Sequence, residues 1–362
     1  MKPIKQLFCK SALQMTPYSP IEPPDQIAKR LGLDEHKIVK LDANENPYGT
    51  APEVLKVLSS VPYYHIYPDP AQVQLRESIA KYAGVDSEQV VVGTGADEII
   101  DLICRLLLEP GEKVLGFVPT FSYYSHVVSL NRGVFQTIQR EEDYSIDLEK
   151  VKQVSLEGCK IVMLCSPNNP SGNLLEPEVL DYFLEKDLIV MVDEAYYEFA
   201  QKSYKDKLKD HSNLVILRTF SKCFALAGLR VGYGITSIEL ASALMKIKPP
   251  FSVNIAAEAA LKTCLENLSH YQNQVKAIIQ TREETIAKLR DFKQLKVFPS
   301  QSNFILCRVL DYDASQLAKD LENKGILVRY FATSLLNNYI RISVGTDEQM
   351  EIFFEALREI IK

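Results

Sequence analysis

The sequence predicts an α/β fold in which helices cover both faces of a largely parallel sheet. Short runs rich in Val, Ile and Leu alternate with helical patterns between residues 89 and 247. These runs are apolar at almost every position, which is typical of strands buried on both faces rather than of half-exposed strands. With 362 residues, of which 46% are apolar and 24% charged, the chain is long enough for two domains with a sizeable core.

The individual elements follow in an order that supports this fold. A proline-rich stretch of about 45 residues begins the chain, and we interpret it as an extended arm with one short helix near Gln26–Leu31. A helical pattern at Leu75–Ala83 leads into the buried runs. Strands are predicted at 89–93, 113–117, 133–138, 160–165, 188–193, 214–219 and 230–235. Helices are predicted near 99–109, 122–130, 147–153, 176–186, 223–228 and 237–247.

A change of pattern at Pro249-Pro250 indicates a domain boundary. A long helical stretch at about 255–290 follows, and then shorter strands such as 303–309 and 338–344, which together are typical of a smaller α+β domain. We therefore expect three parts: an N-terminal arm that joins the small domain (1–45), a large domain (46–250) and a C-terminal small domain (251–362).

Composition and charge exclude several classes of function. A net charge of -6 argues against nucleic acid as the main partner, because such binding usually needs a basic face. The sequence has no apolar run of roughly 20 residues, so we expect no membrane span. The seven cysteines form no CxxC pair and the five histidines no HExxH motif, so we expect neither disulfides nor a metal site. These features, and the absence of a convincing cleavage site, favour a cytoplasmic protein.

Polar residues are concentrated where the predicted strands end. Ligands of open α/β sheets bind outside the carboxyl ends of the strands. In this chain those ends carry the segments GTGADE (93–98), PTFSYY (119–124), SPNNPSG (166–172), DEAYYE (193–198) and TFSK (219–222). The sequence therefore predicts a ligand cleft along this edge of the sheet.

Each of these segments has more than one interpretation when it is taken alone. Gly93 and Gly95 before a helix could cradle a phosphate group, or could simply form a strand–helix turn. A dinucleotide fingerprint would need glycine at the position of Glu98, which argues against a dehydrogenase. Asn169 could project its amide into the cleft, or could serve only the turn.

Asp193 and Lys222 are likewise ambiguous until they are combined. Asp193 could cap the next element or meet a cation, and Lys222 could reach solvent or act as a nucleophilic amine with a lowered pKa. The ordered series of Asn169, Asp193, Ser221-Lys222 and Arg230 suits pyridoxal 5′-phosphate (PLP). This cofactor needs an amine for its aldehyde, a carboxylate for its pyridinium nitrogen, donors for its phenolate, a stacking ring and a phosphate cup.

Longer motifs carry a family resemblance over almost the whole chain: LDANENPYG, YPDP, CSPNNPSG, VDEAYYEF, SKCFALAGLRVGYG and YIRISVGT. With these motifs the sequence resembles the fold-type I PLP-dependent aminotransferases, and within them it is similar to the histidinol-phosphate aminotransferases. The resemblance implies a large domain with a mostly parallel seven-stranded sheet sandwiched by helices, plus a smaller α+β domain.

The resemblance also implies roles for single residues around PLP. Lys222 would hold the cofactor covalently and then move a proton, Asp193 would pair with the pyridinium nitrogen, and Phe121 would stack on the ring. Asn169 and Tyr196 would hydrogen-bond the phenolic oxygen. The phosphate would be cradled by Ala96, Asp97, Ser221, Arg230 and, from the neighbouring subunit, Tyr67.

The same resemblance implies the substrates and the assembly. Arg341 would bind the α-carboxylate of glutamate, Arg329 and Tyr18 would recognise the phosphate of histidinol phosphate, and Asn46 would lie in the arm that lines the substrate pocket. The implied reaction transfers an amine between histidinol phosphate and 2-oxoglutarate in histidine biosynthesis. The implied assembly is a homodimer with shared active sites.

Two departures and three alternatives accompany this resemblance. Relatives often carry Tyr where this chain has Phe121, and Ala or Ser where it has Cys223. We expect Cys223 and Gly228 to be small because the chain must pass close to the cofactor and the sheet there. The alternatives are an aromatic amino acid aminotransferase, a threonine-phosphate decarboxylase, and a catalytically silent protein of the same fold.

Overall fold

The computed structural model describes residues 3–15, 22–61 and 63–361. Two sheets and the helices around them account for most of this part of the chain. The strands are β1 (Val39–Leu41), β2 (Val90–Thr94), β3 (Lys113–Val118), β4 (Val134–Gln139), β5 (Cys159–Cys165), β6 (Ile189–Asp193), β7 (Leu214–Thr219), β8 (Val231–Ile235), β9 (Leu295–Val297), β10 (Phe304–Val309), β11 (Ile326–Tyr330) and β12 (Tyr339–Ser343).

Helices precede, separate and follow these strands. They are α1 (Lys10–Gln14), α2 (Pro24–Leu31), α3 (Pro52–Ser60), α4 (Val73–Ala83), α5 (Ala96–Leu107), α6 (Tyr123–Leu130), α7 (Leu148–Lys152), α8 (Pro177–Leu184), α9 (Tyr197–Ala200), α10 (Ile238–Ile247), α11 (Ile255–Glu266), α12 (Leu268–Leu289), α13 (Ala314–Asn323) and α14 (Asp347–Ile360). None of the helices in these described ranges is long and apolar enough to cross a membrane.

The larger sheet has seven strands in the order β2-β8-β7-β6-β5-β3-β4. Six of them run parallel, and β8 runs antiparallel to both of its neighbours. Side chains alternate between two buried clusters: Val162 and Leu164 of β5 face one layer, whereas Ile161 and Met163 face the other. Burial on both faces explains the continuous apolar runs, and the predicted mostly parallel seven-stranded sheet is confirmed.

The smaller sheet has the order β1-β11-β12-β10-β9. Its edge strand β1 comes from the N-terminal arm and pairs in parallel with β11, while the other pairs are antiparallel. Directly after β1, the backbone N–H of Asn44 donates to Ser343 Oγ (2.8 Å) and Asn46 Nδ2 donates to the carbonyl oxygen of Cys223 (2.8 Å). Residues 42–46, which we call the arm segment, thus connect the smaller sheet to the turn after β7.

Two predicted helices differ from the structure. The helix expected near 223–228 is absent: Ala225 lies in the left-handed region (φ 54°), where an α-helix of L-residues does not continue. A tight turn replaces it, closed by the N–H of Leu226 donating to the carbonyl of Phe220 (3.1 Å). The long helical stretch at 255–290 is two helices, α11 and α12, that meet at Asn267.

Candidate active site

A cavity of about 470 Å³ lies at the carboxyl ends of the parallel strands, and the smaller sheet and the arm segment close its other side. It is lined by loops that follow β2, β3, β5, β6 and β7, and by the ends of β11 and β12. The sequence-predicted residues that the structure brings together here are Ala96, Asp97, Phe121, Asn169, Asp193, Tyr196, Ser221, Lys222, Arg230, Arg329 and Arg341.

Lys222 follows β7 and places its amine in this cavity. Its Nζ donates to the carbonyl oxygen of Ala43 in the arm segment (3.0 Å). Burial, and then the positive charge of Arg341, lower the pKa of the Lys222 amine to about 8. Because both causes disfavour the ammonium form, a useful fraction of the amine is unprotonated and nucleophilic near neutral pH.

Asp193 ends β6 and is only 5% exposed. Its Oδ2 accepts from the Tyr124 hydroxyl (2.6 Å) and its Oδ1 accepts from the backbone N–H of Ala195 (3.0 Å). Burial raises the pKa of Asp193 to about 6, although both hydrogen bonds oppose the shift. A cationic group at this carboxylate would relieve the cost of burying its charge. Tyr124 lies within the segment PTFSYY, but its hydrogen bond to Asp193 could not be predicted from the sequence.

Tyr196 lies in the loop after β6, and its hydroxyl accepts hydrogen bonds from two side-chain amides. Asn44 Nδ2 donates to its hydroxyl at 3.0 Å, and Asn169 Nδ2 donates at 3.4 Å. The ring packs edge-on against Phe304, with centroids 5.0 Å apart. Burial raises the pKa of Tyr196 to about 12, so the hydroxyl stays protonated and is available as a donor.

The proposed phosphate cup forms where β2 meets α5. Ala96 is the first residue of α5, and a helix N-terminus offers unpaired N–H groups to an anion. Arg230 Nη2 pairs with Asp97 Oδ2 at 2.9 Å. A Cβ on Gly95 would lie 2.6 Å from the Arg230 guanidinium, and one on Gly232 would lie 2.2 Å from the backbone nitrogen of Ala96. Only glycine fits these two positions, because the backbones and the guanidinium approach so closely.

The expectation for Gly228 is wrong, since a Cβ there would meet open space. Cys223 is buried, at 4% exposure, and its carbonyl oxygen accepts from Asn46. Ser221 Oγ lies beside the cup and accepts from Thr219 Oγ1 (3.0 Å). Phe121 meets Tyr124 edge to face, with ring centroids 5.6 Å apart.

Arg329 and Arg341 face each other across the β11–β12 ladder. Arg341 is 6% exposed; its Nη1 donates to Asn169 Oδ1 (2.7 Å) and its Nη2 donates to the carbonyl of Asp42 (2.6 Å). Arg329 is partly exposed, and within the described part of the chain its recorded contact is with the Phe331 ring, 5.8 Å away. The two guanidinium groups therefore differ: that of Arg341 is buried and hydrogen-bonded by the protein, whereas that of Arg329 lies on a partly exposed side chain that lines the cavity.

Two predicted residues do not line this cavity, and a third is not among the described residues. Tyr67 is 78% exposed, stacks on Phe251 (4.6 Å) and does not line the cavity of its own chain. The Asn46 amide is engaged by Cys223 and by Gln274 Oε1 (2.9 Å), so the arm residues that line the cavity are Ala43, Asn44 and Glu45 instead. Tyr18 lies outside the described residues.

The residues present fit PLP. An amine with a lowered pKa, a buried carboxylate whose charge lacks a cationic partner at close range, two donors around Tyr196 and an arginine beside a helix N-terminus each meet one requirement of this cofactor. Asn44 also belongs to the residues around Tyr196, although no feature of the segment ANENP distinguishes it from Asn46.

Comparisons with known proteins agree with this geometry. The family model for aminotransferases of class I and II matches residues 36–357. The chloroplastic histidinol-phosphate aminotransferase of Nicotiana plumbaginifolia is 41% identical over 349 residues, covering 96% of this chain and 84% of that protein. The histidinol-phosphate aminotransferase of Dehalococcoides mccartyi is 40% identical and covers 92% of this chain and 93% of that protein. Among solved structures, the Sinorhizobium meliloti histidinol-phosphate aminotransferase in complex with pyridoxal-5'-phosphate has a TM-score of 0.86 at 27% identity, covering 98% of this chain and 97% of that chain.

Proposed function

Because this chain belongs to the class I and II aminotransferases, we propose that it transfers an amino group between L-histidinol phosphate and 2-oxoglutarate, with PLP as cofactor. The products are imidazole-acetol phosphate and glutamate, so the enzyme serves histidine biosynthesis. The observation that carries the proposal is one cavity that holds a low-pKa lysine, a buried aspartate, a buried arginine and a partly exposed arginine.

The residues assigned to PLP divide its polar groups among them. Lys222 would bind the aldehyde carbon, Asp193 would pair with the pyridinium nitrogen, Asn169 and Tyr196 would hydrogen-bond the phenolic oxygen, and Phe121 would pack on the ring. The phosphate is assigned to Ala96, Asp97, Ser221 and Arg230. When bound, PLP carries the amine and takes up the electrons of the broken Cα–H bond.

Lys222 is the group that moves protons. Its pKa of about 8 suits a general base and acid that works near neutral pH. Its Nζ would take the proton from the substrate Cα and return a proton to the carbon on the other side of the transferred nitrogen. In the cofactor-free protein the Ala43 carbonyl, 3.0 Å away, accepts from this amine.

The two arginines are assigned to the anionic groups of the substrates. Arg341 is fixed by Asn169 and Asp42, which presents its guanidinium in one orientation to a carboxylate. Arg329, with Tyr18 assigned beside it, would bind the phosphate of histidinol phosphate and the second carboxylate of glutamate. Both substrates use this one site in turn, so ping-pong kinetics follow.

Arg329 also argues against an aromatic amino acid aminotransferase, because an uncharged aromatic side chain has no use for its charge. A threonine-phosphate decarboxylase would use a phosphate-binding arginine too, and it differs in releasing carbon dioxide. The complete set of Lys222, Asp193, Asn169 and Arg230 argues against a silent protein of this fold.

We further propose a cytoplasmic homodimer in which Tyr67 reaches the phosphate site of the neighbouring subunit. The Tyr67 ring is exposed and lies outside the cavity of its own chain, which supports a contact with the neighbouring subunit. We also propose the domain division given above, with the arm (1–45) assigned to the small domain; the pairing of β1 with β11 supports it.

The decisive experiment is a panel of half-reactions. The purified PLP form is titrated with histidinol phosphate, phenylalanine, tyrosine and threonine phosphate, and the change in cofactor absorbance is followed. We expect conversion at the lowest concentration with histidinol phosphate. Faster conversion with phenylalanine would indicate the aromatic alternative, and carbon dioxide from threonine phosphate would indicate the decarboxylase.

A further inference from the structure

A directed chain of hydrogen bonds runs from the smaller sheet to the Tyr196 hydroxyl. Ser343 Oγ donates to Asn44 Oδ1 (3.1 Å), and Asn44 Nδ2 donates to Tyr196 Oη (3.0 Å). Asn44 is 1% exposed, and its backbone is pinned as well: its N–H donates to Ser343 Oγ (2.8 Å) and its carbonyl accepts from Asn303 Nδ2 (2.9 Å). Ser343 Oγ accepts from the Asn44 backbone N–H and gives its own hydrogen to Asn44 Oδ1, and in this arrangement the Asn44 amide presents its donor end to Tyr196.

A second amide reaches the same hydroxyl with its orientation fixed independently. Asn169 Oδ1 accepts from Arg341 Nη1 (2.7 Å), and a guanidinium can only donate. The Asn169 Nδ2 group must then face Tyr196, where it lies 3.4 Å from Oη. Both amides thus present donors to one oxygen.

A phenolic hydroxyl has one hydrogen to donate, and its oxygen accepts. Since Asn44 and Asn169 both approach Tyr196 Oη as donors, neither can take its hydrogen. That hydrogen is left to point into the cavity, which Tyr196 and Lys222 line together.

We propose that Asn44 is a positioning residue that fixes Tyr196 as a hydrogen-bond donor to the phenolic oxygen of PLP. The proposal rests on the proposed function, because it needs PLP in the cavity. Asn44 acts through Tyr196 and does not touch the reacting atoms. Donation to the phenolate stabilises its negative charge, and this lowers the pKa of the nitrogen that links Lys222 to the cofactor.

Asn44→Asp tests the direction of donation, because the two side chains have the same shape and a carboxylate only accepts. The Tyr196 hydrogen should turn from the phenolate to the new carboxylate. We expect the pKa of the Lys222–cofactor linkage, read from a pH titration of cofactor absorbance without substrate, to rise by about one unit or more. Asn44→Ala removes one of the two donors that hold the Tyr196 hydroxyl and leaves the other, Asn169, so it should raise this pKa by less than Asn44→Asp does.

A new negative charge near the cofactor would also raise this pKa, so the titration is repeated in a Tyr196→Phe background. If Asn44→Asp acts through the hydroxyl, the double variant has the pKa of Tyr196→Phe alone, within about half a unit. A shift of the same size with and without the hydroxyl overturns the proposal, and so does a shift in Asn44→Ala equal to that in Asn44→Asp.

Ser343→Ala provides an uncharged second variant if Asn44→Asp does not fold. It removes the donor that holds Asn44 Oδ1 and lets the amide reverse, so the linkage pKa should rise, and only when Tyr196 is present. If the linkage pKa of Ser343→Ala equals that of the wild type, the positioning role of Asn44 is overturned. The wild-type control separates the two proposals. A wild-type protein without a PLP absorbance band contradicts the proposed function. Normal turnover, together with variants whose linkage pKa is unshifted, contradicts only the positioning role of Asn44.

Discussion

Replacing Asp193 by Asn should make the cofactor-free protein more stable and the cofactor less tightly bound. Without PLP, Asp193 is a buried carboxylate whose pKa burial raises from 3.8 to about 6. Between these two values the native protein holds a proton that the unfolded chain has released. The free energy of unfolding therefore falls as pH rises through this window, and the whole penalty is present above about pH 6.

The size of the effect follows from the pKa difference. A shift from 3.8 to about 6 corresponds to a penalty of about 3 kcal/mol at pH 8. Asn removes the charge and keeps an oxygen for the Ala195 N–H, while the Tyr124 hydroxyl can reverse and accept from the new amide. We therefore expect a gain of about 2 to 3 kcal/mol in the cofactor-free protein, or about 3 to 4 °C in Tm for a chain of this length.

The assay compares thermal unfolding of the cofactor-free wild type and variant at pH 4 and pH 8. The gain in Tm should appear at pH 8 and be absent at pH 4, where the native carboxyl is already protonated. The PLP dissociation constant should rise at least about tenfold, since the pyridinium nitrogen loses its ionic partner. Asp187→Asn, at an exposed position, provides the control for a general effect of the substitution.

Two results would refute this reasoning. A lower Tm of the cofactor-free variant at pH 8 would show that the Asp193 charge stabilises the fold and is not a cost held for the cofactor. An unchanged dissociation constant for PLP would show that Asp193 does not pair with its ring nitrogen.

Three further predictions concern substrate choice, the assembly and a second buried acid. Arg329→Gln should raise KM for histidinol phosphate at least about tenfold and that for glutamate less, with the exposed Arg308→Gln as control; equal losses would contradict the phosphate role. A one-to-one mixture of Tyr67→Ala and Lys222→Ala subunits, dissociated and reassembled, should recover about a quarter of wild-type activity, because half of the dimers would carry one intact site of two; no recovery would count against a shared site. The free energy of unfolding of Glu198→Gln should rise relative to that of the wild type between pH 5 and pH 8. Burial raises the pKa of Glu198 to about 8, so the native wild type holds a proton across this window that its unfolded chain has released. A difference between variant and wild type that stays constant with pH, as expected for the exposed Glu355→Gln, would rule this out.

The sheet was predictable because its signal is local. Strands buried on both faces are apolar at most positions, and β5, β6 and β7 are apolar except at Lys160, Asp193, Arg218 and Thr219. The place of the cavity followed from the strand ends, because topology brings the carboxyl ends of parallel strands to one edge.

The sequence could not reveal contacts between distant segments. The residues after Lys222 are apolar and suit a helix, but the N–H of Leu226 is bonded back to Phe220 and Ala225 takes a left-handed conformation. Asn44 lies 299 positions from Ser343, so nothing nearby in the chain distinguishes it from Asn46. The glycine requirement at Gly232 likewise depends on Ala96, which belongs to another element.

The arm segment has a consequence for mutational scanning. It holds two of the basic side chains of the site through main-chain oxygens of consecutive residues: the carbonyl of Asp42 accepts from Arg341, and the carbonyl of Ala43 accepts from Lys222. Every amino acid supplies the same carbonyl, so side-chain replacement at these two positions leaves both acceptors in place. A scan of side-chain substitutions would miss the role of these two carbonyls, whereas a deletion or insertion that shifts the path of the segment by one residue would release Arg341 and Lys222 at once.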